Sequence, residues 1–123
     1  MAKKSYALQP WDQYSDSKME TDAPIAVDQI LAIPEFAGLT AEALVTKDQV
    51  KHFQTLLAAA RLGAKSDIQA KNQQKSIVAT SMNNLSVGVN NIAKGNRSLI
   101  LSTTLPINKI SGSAPVEQLK PEG

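Results

Sequence analysis

The residues whose side chains could do chemistry are few. The chain contains one histidine, His52, and no cysteine. This histidine has no second histidine to act as a base, and without thiolates it could bind a metal only with carboxylates from elsewhere. None of the serines stands in the G-x-S-x-G turn that exposes a nucleophile in many hydrolases. The sequence therefore predicts no catalytic residue and no metal site, and His52 is interpreted as a surface histidine.

The glycine pattern does not predict a nucleotide or cofactor site. Neither G-x-x-x-x-G-K-[ST] nor G-x-G-x-x-G occurs in the chain, and these are the loops that hold phosphates with backbone amides. Residues 95–98 form only a turn with one cation. We therefore expect no cofactor and no enzymatic activity.

A basic edge on the central region is a weak indication of nucleic-acid binding. Its members are Lys47, Lys51, Lys65, Lys71 and Lys75. The region lacks interleaved aromatic residues, and its excess of positive charge is modest. A solvated helix face is the ordinary interpretation, and nucleic acid is not the expected partner.

Two amphipathic stretches joined at a glycine predict a helical hairpin. Thr46 and Ser66 each stand three residues before a glutamine, the spacing of a capping box, in which the hydroxyl accepts a backbone N–H and the glutamine reaches back. Gly63 and Gly95 follow the last apolar residues, where a left-handed residue ends a helix most easily. Each predicted helix therefore has a start and a stop.

Each stretch also carries one apolar stripe, with steps of three and four residues. The stripes are Val50, Phe53, Leu57, Ala60 and Ala64, then Val78, Met82, Leu85, Val89 and Ile92. The connection is short, so the helices should pack antiparallel with these stripes between them. The predicted fold is all-α: an antiparallel hairpin of about residues 46–62 and 66–94, with a short N-terminal helix and extended N- and C-terminal arms.

Residues 83–91 leave a strand open as an alternative. They alternate apolar and small residues between two asparagine pairs, and Gly88 would cost about 1 kcal/mol inside a helix. The flanking pattern of threes and fours is longer and favours helix. In a helix, Ser81 and Gly88 would share one face and could admit a close neighbouring backbone.

The segments around the hairpin divide the chain into three parts: an arm of residues 1–38, the hairpin of residues 39–95, and an end of residues 96–123. In the arm, Thr21 or Asp22 with Pro24 predicts the start of a short helix that ends before Pro34. In the third part, residues 99–105 are β-prone and residues 111–123 are typical of a linker or tail.

Charge is distributed unevenly along the chain, although the formal net charge is only +2. Residues 1–38 hold three lysines against six acidic residues, whereas residues 39–95 hold seven basic residues against three acidic ones. The acidic arm could lie on the basic hairpin of its own or a neighbouring subunit. Ordinary solvated faces are the alternative.

Size and composition favour association with other chains. At 123 residues, with 4% aromatic residues, the chain is one domain at most, and a hairpin alone buries little core. The start lacks the apolar core of a signal peptide, and no apolar run has the length of a membrane span, so we expect cytoplasmic synthesis. The interface candidates are three aromatic residues of the arm and the second stripe: Tyr6, Trp11, Tyr14, Val78, Met82, Leu85, Val89 and Ile92.

From the hairpin onward the sequence resembles a helical-hairpin domain of uncharacterised bacterial proteins. The letters that carry the resemblance are LLAAARLG, QQKSIVATSMNNLSVGVNNIAKGN, LILSTTLPINK and SAPVEQL, over about residues 45–119. In that family a helix pair ends in A-x-G-[ND], and a Leu/Ser segment and a Pro-containing linker follow, often before a fibronectin type III domain. This chain stops at Gly123, where that domain would begin. The resemblance implies a helix over residues 66–95 and a scaffold-like role, and it supplies no reaction.

The expected function is that of a non-enzymatic structural or interaction subunit that self-associates or docks into a larger assembly. A virion and a bacterial surface or secretion scaffold are the settings considered. The alternatives are a small nucleic-acid-binding accessory protein, and a WXG-like secreted hairpin or secretion chaperone, although no W-x-G lies at the turn.

Overall fold

The computed structural model describes residues 5–108, which fold into four α-helices and two short 3-10 helices without a strand. The α-helices are α1 (Asp16–Ala32), α2 (Thr40–Ala60), α3 (Lys65–Ala93) and α4 (Arg97–Leu101), and the 3-10 helices are Trp11–Gln13 and Pro34–Leu39. The predicted all-α class is confirmed, with α2 and α3 packed as a long antiparallel pair.

Helix α2 begins six residues earlier than the predicted start at Thr46. The Thr46 hydroxyl is no cap, because the side chain is buried inside the helix and donates a hydrogen bond to the Glu42 carbonyl (2.9 Å). The 3-10 helix Pro34–Leu39 leads directly into α2, and the backbone N–H of Thr40 bonds to the Ala37 carbonyl. A helix that continues from a preceding turn has its first amides satisfied without a side-chain cap.

Helix α3 confirms helix over strand for residues 83–91. Its N-cap is Ala64, which makes no side-chain capping hydrogen bond, so the predicted capping box at Ser66 is wrong. The end of α3 agrees with the prediction of a left-handed glycine there, because Gly95 has φ 87° and Lys94 before it has φ 49°. Gly63 (φ 94°) is left-handed at the turn of the hairpin in the same way.

Helix α1 is longer than predicted, because it begins before Pro24 and contains it. The Ser15 hydroxyl caps the helix by accepting the Lys18 backbone N–H (3.2 Å). Proline has no N–H for the carbonyl four residues before it, which here belongs to Glu20. The Gln54 side chain of α2 donates to that carbonyl instead (3.3 Å). A long-range side chain thus compensates for the missing backbone bond.

The β-prone prediction for residues 99–105 is also wrong. Asn96 caps α4 by accepting the Leu99 N–H (3.2 Å), and Ile100 of this helix is fully buried. Extended pairing occurs only at one isolated antiparallel bridge between Ala7 and Ile107 among residues 5–108. The predicted tail at residues 111–123 lies outside the described residues.

The core lies between the hairpin and the segments on both sides of it in the sequence, including α4. Helix α1 packs chiefly on α2, and the 3-10 helix Trp11–Gln13 packs on α3. The largest fully buried side chains come from all of these elements: Trp11, Met19, Ile30, Phe36, Phe53, Met82, Leu85 and Ile100. Ala64 of the predicted first stripe is exposed, because it lies in the turn. No helix within residues 5–108 has the length and hydropathy to cross a membrane.

Candidate functional site

The polar face of α3 binds the N-terminal arm of the same chain. Asn90 uses its whole side-chain amide, since its Oδ1 accepts the Ala7 N–H (2.6 Å) and its Nδ2 donates to the Ala7 carbonyl (3.1 Å). Two turns earlier, Asn83 Oδ1 accepts the Trp11 N–H (3.4 Å). Residues seven apart lie on one face of a helix, so the two asparagines form one docking surface. We call this surface of α3 the arm site, and from here on the arm is the segment 5–13 that it holds.

The other edge of the arm pairs with the chain beyond α4. The Tyr6 N–H donates to Asn108 Oδ1 (2.7 Å), and the Tyr6 carbonyl accepts the Asn108 N–H (3.0 Å). The Leu8 N–H donates to the Pro106 carbonyl (2.8 Å). Arg97 joins both segments, because one of its guanidinium nitrogens donates to the Ser5 hydroxyl and to the Asn108 carbonyl. Residues 5 and 108 therefore lie side by side at the two ends of the described chain.

Trp11 is the apolar anchor of the arm. Its side chain is fully buried, and its ring lies 4.6 Å from that of Tyr14, measured between centroids. The indole Nε1 has no hydrogen-bond partner within residues 5–108. Apolar packing rather than hydrogen bonding thus holds the ring. Lys18 lies over the other aromatic ring of this cluster, 4.8 Å from the Tyr14 centroid, and partial burial raises the pKa of the Tyr14 phenol.

Ion pairs connect the acidic N-terminal region to the basic hairpin within one chain. Asp16 contacts Lys71 (2.8 Å) and Lys75 (3.0 Å), and the other two pairs are Glu20 with Arg61 (3.0 Å) and Asp28 with Lys47 (3.2 Å). Partial burial would raise the pKa of Asp16, but hydrogen bonds from both lysines outweigh this and hold the pKa below its usual value. Three of the five lysines of the predicted basic edge are therefore already paired.

A shallow groove remains open between α2 and α3. It measures about 350 Å³ and is lined by Ala41, Glu42, Val45, Thr46, Ser81 and Asn84; we call it the open groove. Its two hydroxyls are used internally, because Thr46 bonds to a carbonyl of its own helix and Ser81 bonds to Gln49. Val45 is 58% exposed. Val45 therefore gives the groove an exposed apolar surface, beside the exposed polar side chains of Glu42 and Asn84.

The face that contains Gly88 admits a side chain rather than the neighbouring backbone that the sequence suggested. A Cβ at this position would lie 2.6 Å from Leu39 Cδ2. The Leu39 side chain therefore occupies the space that the glycine leaves against α3. This contact closes one end of the hairpin beside the start of α2.

The structure places most of the predicted interface candidates in the core of a single chain. Trp11, Val78, Met82, Leu85 and Val89 are fully buried, and Tyr14 and Ile92 are partly buried against the same core. These side chains are used within the chain, and only Tyr6, which is 48% exposed, still presents a large surface. The roles of Asn83 and Asn90 were not predicted from the sequence, although their spacing of seven on a predicted helix was a signal.

The single histidine of the chain lies apart from both the arm site and the open groove. His52 is exposed on α2. The described residues contain no group of three or more histidine, cysteine, aspartate or glutamate side chains placed to hold a metal ion.

No family model matches this chain, and the searches of curated proteins and of solved structures returned no match. The resemblance to bacterial helical-hairpin domains therefore stays a prediction from the sequence.

Proposed function

We propose that this protein is a non-enzymatic structural subunit that packs through its open groove against copies of itself or other subunits of a larger assembly. The observation that carries the proposal is the exposed Val45 in a groove whose hydroxyls are already satisfied. When another protein covers apolar surface of this kind, the free energy of the system falls by about 25 cal/mol per Å² of apolar surface removed from water.

Helical periodicity extends this surface beyond the groove itself. Ile77 lies one turn before Ser81 on α3, so it shares that face, and it is 45% exposed. On α2, Leu56 lies three turns after Val45 on a common face and is partly exposed. Side chains of both helices could thus contact a partner helix along the hairpin. A virion or a bacterial surface or secretion scaffold remains a fitting setting.

Nucleic-acid binding is less well supported. Lys71 and Lys75 already pair with Asp16, and Lys47 pairs with Asp28. Phosphate binding depends on cations that can replace condensed counterions. A lysine that is already in an ion pair must first lose that contact, which reduces the free energy gained on binding a phosphate. We therefore retain the structural role.

Val45→Glu tests the proposal. The carboxylate would be desolvated in any partner contact at the groove, so we expect this variant to lose self-association while it keeps the helical circular dichroism of the wild type. Light scattering over a range of concentrations measures the mass. Leu62→Glu is the matched control, since Leu62 is 87% exposed at the turn of the hairpin, and it should associate as the wild type does. A wild-type chain that stays monomeric, or equal effects of the two substitutions, would contradict self-association through this groove.

A further inference from the structure

The arm site holds the chain's own N-terminal residues through hydrogen bonds to their backbone. Asn90 binds Ala7 through both backbone groups, and Asn83 binds the backbone of Trp11. Backbone contacts supply affinity in such recognition, and buried side chains supply selectivity. Ala7 is 1% exposed and Trp11 is fully buried. The site therefore selects a small residue and, four positions later, a tryptophan.

The arm is connected to the helical body through a short extended joint. Tyr14 (φ −74°, ψ 144°) and Ser15 (φ −66°, ψ 163°) both have extended backbone, and α1 starts immediately afterwards. Helix α1 has its own attachments, because Asp16 pairs with α3 and the rest of the helix packs on α2. A change of direction at this joint would carry the arm away while α1 stays in place.

The contacts of the arm with α3 and with the residues after α4 are reproduced when the arm comes from another copy. Each α3 then receives an identical segment, with the same amide contacts and the same two buried anchors. Exchange of identical elements is a low-cost route to dimers, since the only new cost is association itself.

We propose that the arm site also takes the N-terminal arm of a second copy, so that two chains exchange arms reciprocally and form a closed two-fold dimer. The partner is defined chemically as the segment 5–13 of this sequence, which ends in the 3-10 helix Trp11–Gln13. This contact is distinct from the open groove, because Asn83 and Asn90 lie on the face of α3 opposite to Ser81 and Gly88.

Single cysteines can report the exchange, because the chain has no cysteine of its own. Tyr6 and Asn91 line one depression of about 520 Å³ beside the arm site. The arm is held there by the backbone of Tyr6 and the side chain of Asn90, so neither substitution removes one of these hydrogen bonds. Asn84 provides the matched control, since it is an exposed asparagine of α3 like Asn91, but it lies two turns earlier in the helix and lines the open groove instead of this depression.

The experiment mixes Tyr6→Cys chains with Asn91→Cys chains at high concentration, warms them briefly to allow opening, and then oxidises them mildly. We expect a mixed disulfide dimer about tenfold more abundant than in a Tyr6→Cys and Asn84→Cys mixture, because an exchanged arm holds its thiol at a millimolar effective concentration. Non-reducing electrophoresis with mass spectrometry identifies the product. Equal yields in the two mixtures would overturn the proposal.

A chain with both Tyr6→Cys and Asn91→Cys checks the geometry in dilute solution, where it should close an internal disulfide. Closure of this disulfide would show that the two thiols can reach each other when the arm lies in its site. Addition of Val45→Glu to each chain of the first mixture should leave the yield of mixed dimer unchanged. Loss of the groove contact and loss of arm exchange are therefore distinguishable.

Discussion

At the scale of single residues, Asp16 forms the ion pairs that join the acidic N-terminal region to the basic helix α3. Its carboxylate binds two lysines of α3, and it also lies in the first turn of α1, where negative charge is favoured by the helix dipole. Lys71 is the more enclosed partner, with a side chain 12% exposed. The cluster therefore ties the start of α1 to the first half of α3.

Asp16→Asn should destabilise the fold in a pH-dependent way. The folded-state pKa of Asp16 is lowered, so its contribution is fully present above the unfolded-state pKa, about 3.9, and is lost as the pH falls through the folded-state value. Near neutral pH we expect a loss of about 1 kcal/mol in the free energy of unfolding, since the site is partly exposed. Urea denaturation at several pH values measures it.

Asp67→Asn is the control for this substitution. Asp67 also lies in the first turn of a helix, α3, but it has no ion pair within residues 5–108. The Asp67→Asn substitution should lower the free energy of unfolding only by the helix-dipole contribution, a few tenths of a kcal/mol. A difference between Asp16→Asn and wild type that stays constant down to pH 3 would contradict the assignment.

At the scale of elements, α1 depends on α2 for more than apolar packing. Pro24 interrupts the backbone bonding of α1, and Gln54 of α2 donates to the carbonyl left free at Glu20. The side chain of Glu20 also pairs with Arg61 just after α2. The two helices thus meet through both the backbone and the side chain of one residue.

A double-mutant cycle at Pro24 and Gln54 should show positive coupling. Gln54→Ala leaves the Glu20 carbonyl without its donor and should cost about 1 kcal/mol. In a Pro24→Ala chain the same substitution should cost much less, because the introduced alanine supplies the missing N–H. Pro24→Ala alone should raise the free energy of unfolding.

Thermal denaturation followed by circular dichroism gives the free energies of unfolding of the four chains in the cycle. Gln73→Ala, at an exposed position of α3, serves as an uncoupled control. Additive effects at Pro24 and Gln54 would refute the compensation.

At the scale of the whole molecule, the N-terminal arm is part of the core rather than an appendage. A hairpin has one apolar seam and cannot enclose it alone, and here Trp11 and α1 cover the side that α2 and α3 leave between them. The single tryptophan is therefore a reporter of the complete fold. Trp11 and the Asp16 ion pairs hold the N-terminal region on α3, and Glu20 and Asp28 hold it on the α2 side through Arg61 and Lys47.

Trp11→Ala should destabilise the whole fold and not only release the arm. Removing a fully buried tryptophan typically costs about 3 to 5 kcal/mol, close to the scale of the total stability of a small domain. We expect the helical circular dichroism of the variant to be lost at a much lower urea concentration than that of the wild type. Tyr6→Ala, which changes a half-exposed side chain of the same arm, should shift the free energy of unfolding by about 0.5 kcal/mol or less. An unchanged urea midpoint in Trp11→Ala would show that the arm is energetically separate.

The sequence by itself determined the helical hairpin, because its signals are local. The steps of three and four in α2 and α3 follow from the helical repeat, and Gly63 and Gly95 have the left-handed backbone expected of helix ends. The length of the periodic pattern was also enough to favour helix over strand for residues 83–91. None of these features depends on a distant partner.

Only the tertiary structure decided where the helices begin and what the arm contacts. Pro24 is tolerated inside α1 because Gln54 donates to a carbonyl 34 positions away, and Asn90 binds a backbone 83 positions away. Taken locally, the same asparagines indicated turns, and the apolar stripe of α3 gave no sign of whether its cover would come from the same chain. These outcomes depend on which groups meet across the fold, and the free energy of such contacts is set by partners that local propensity does not contain.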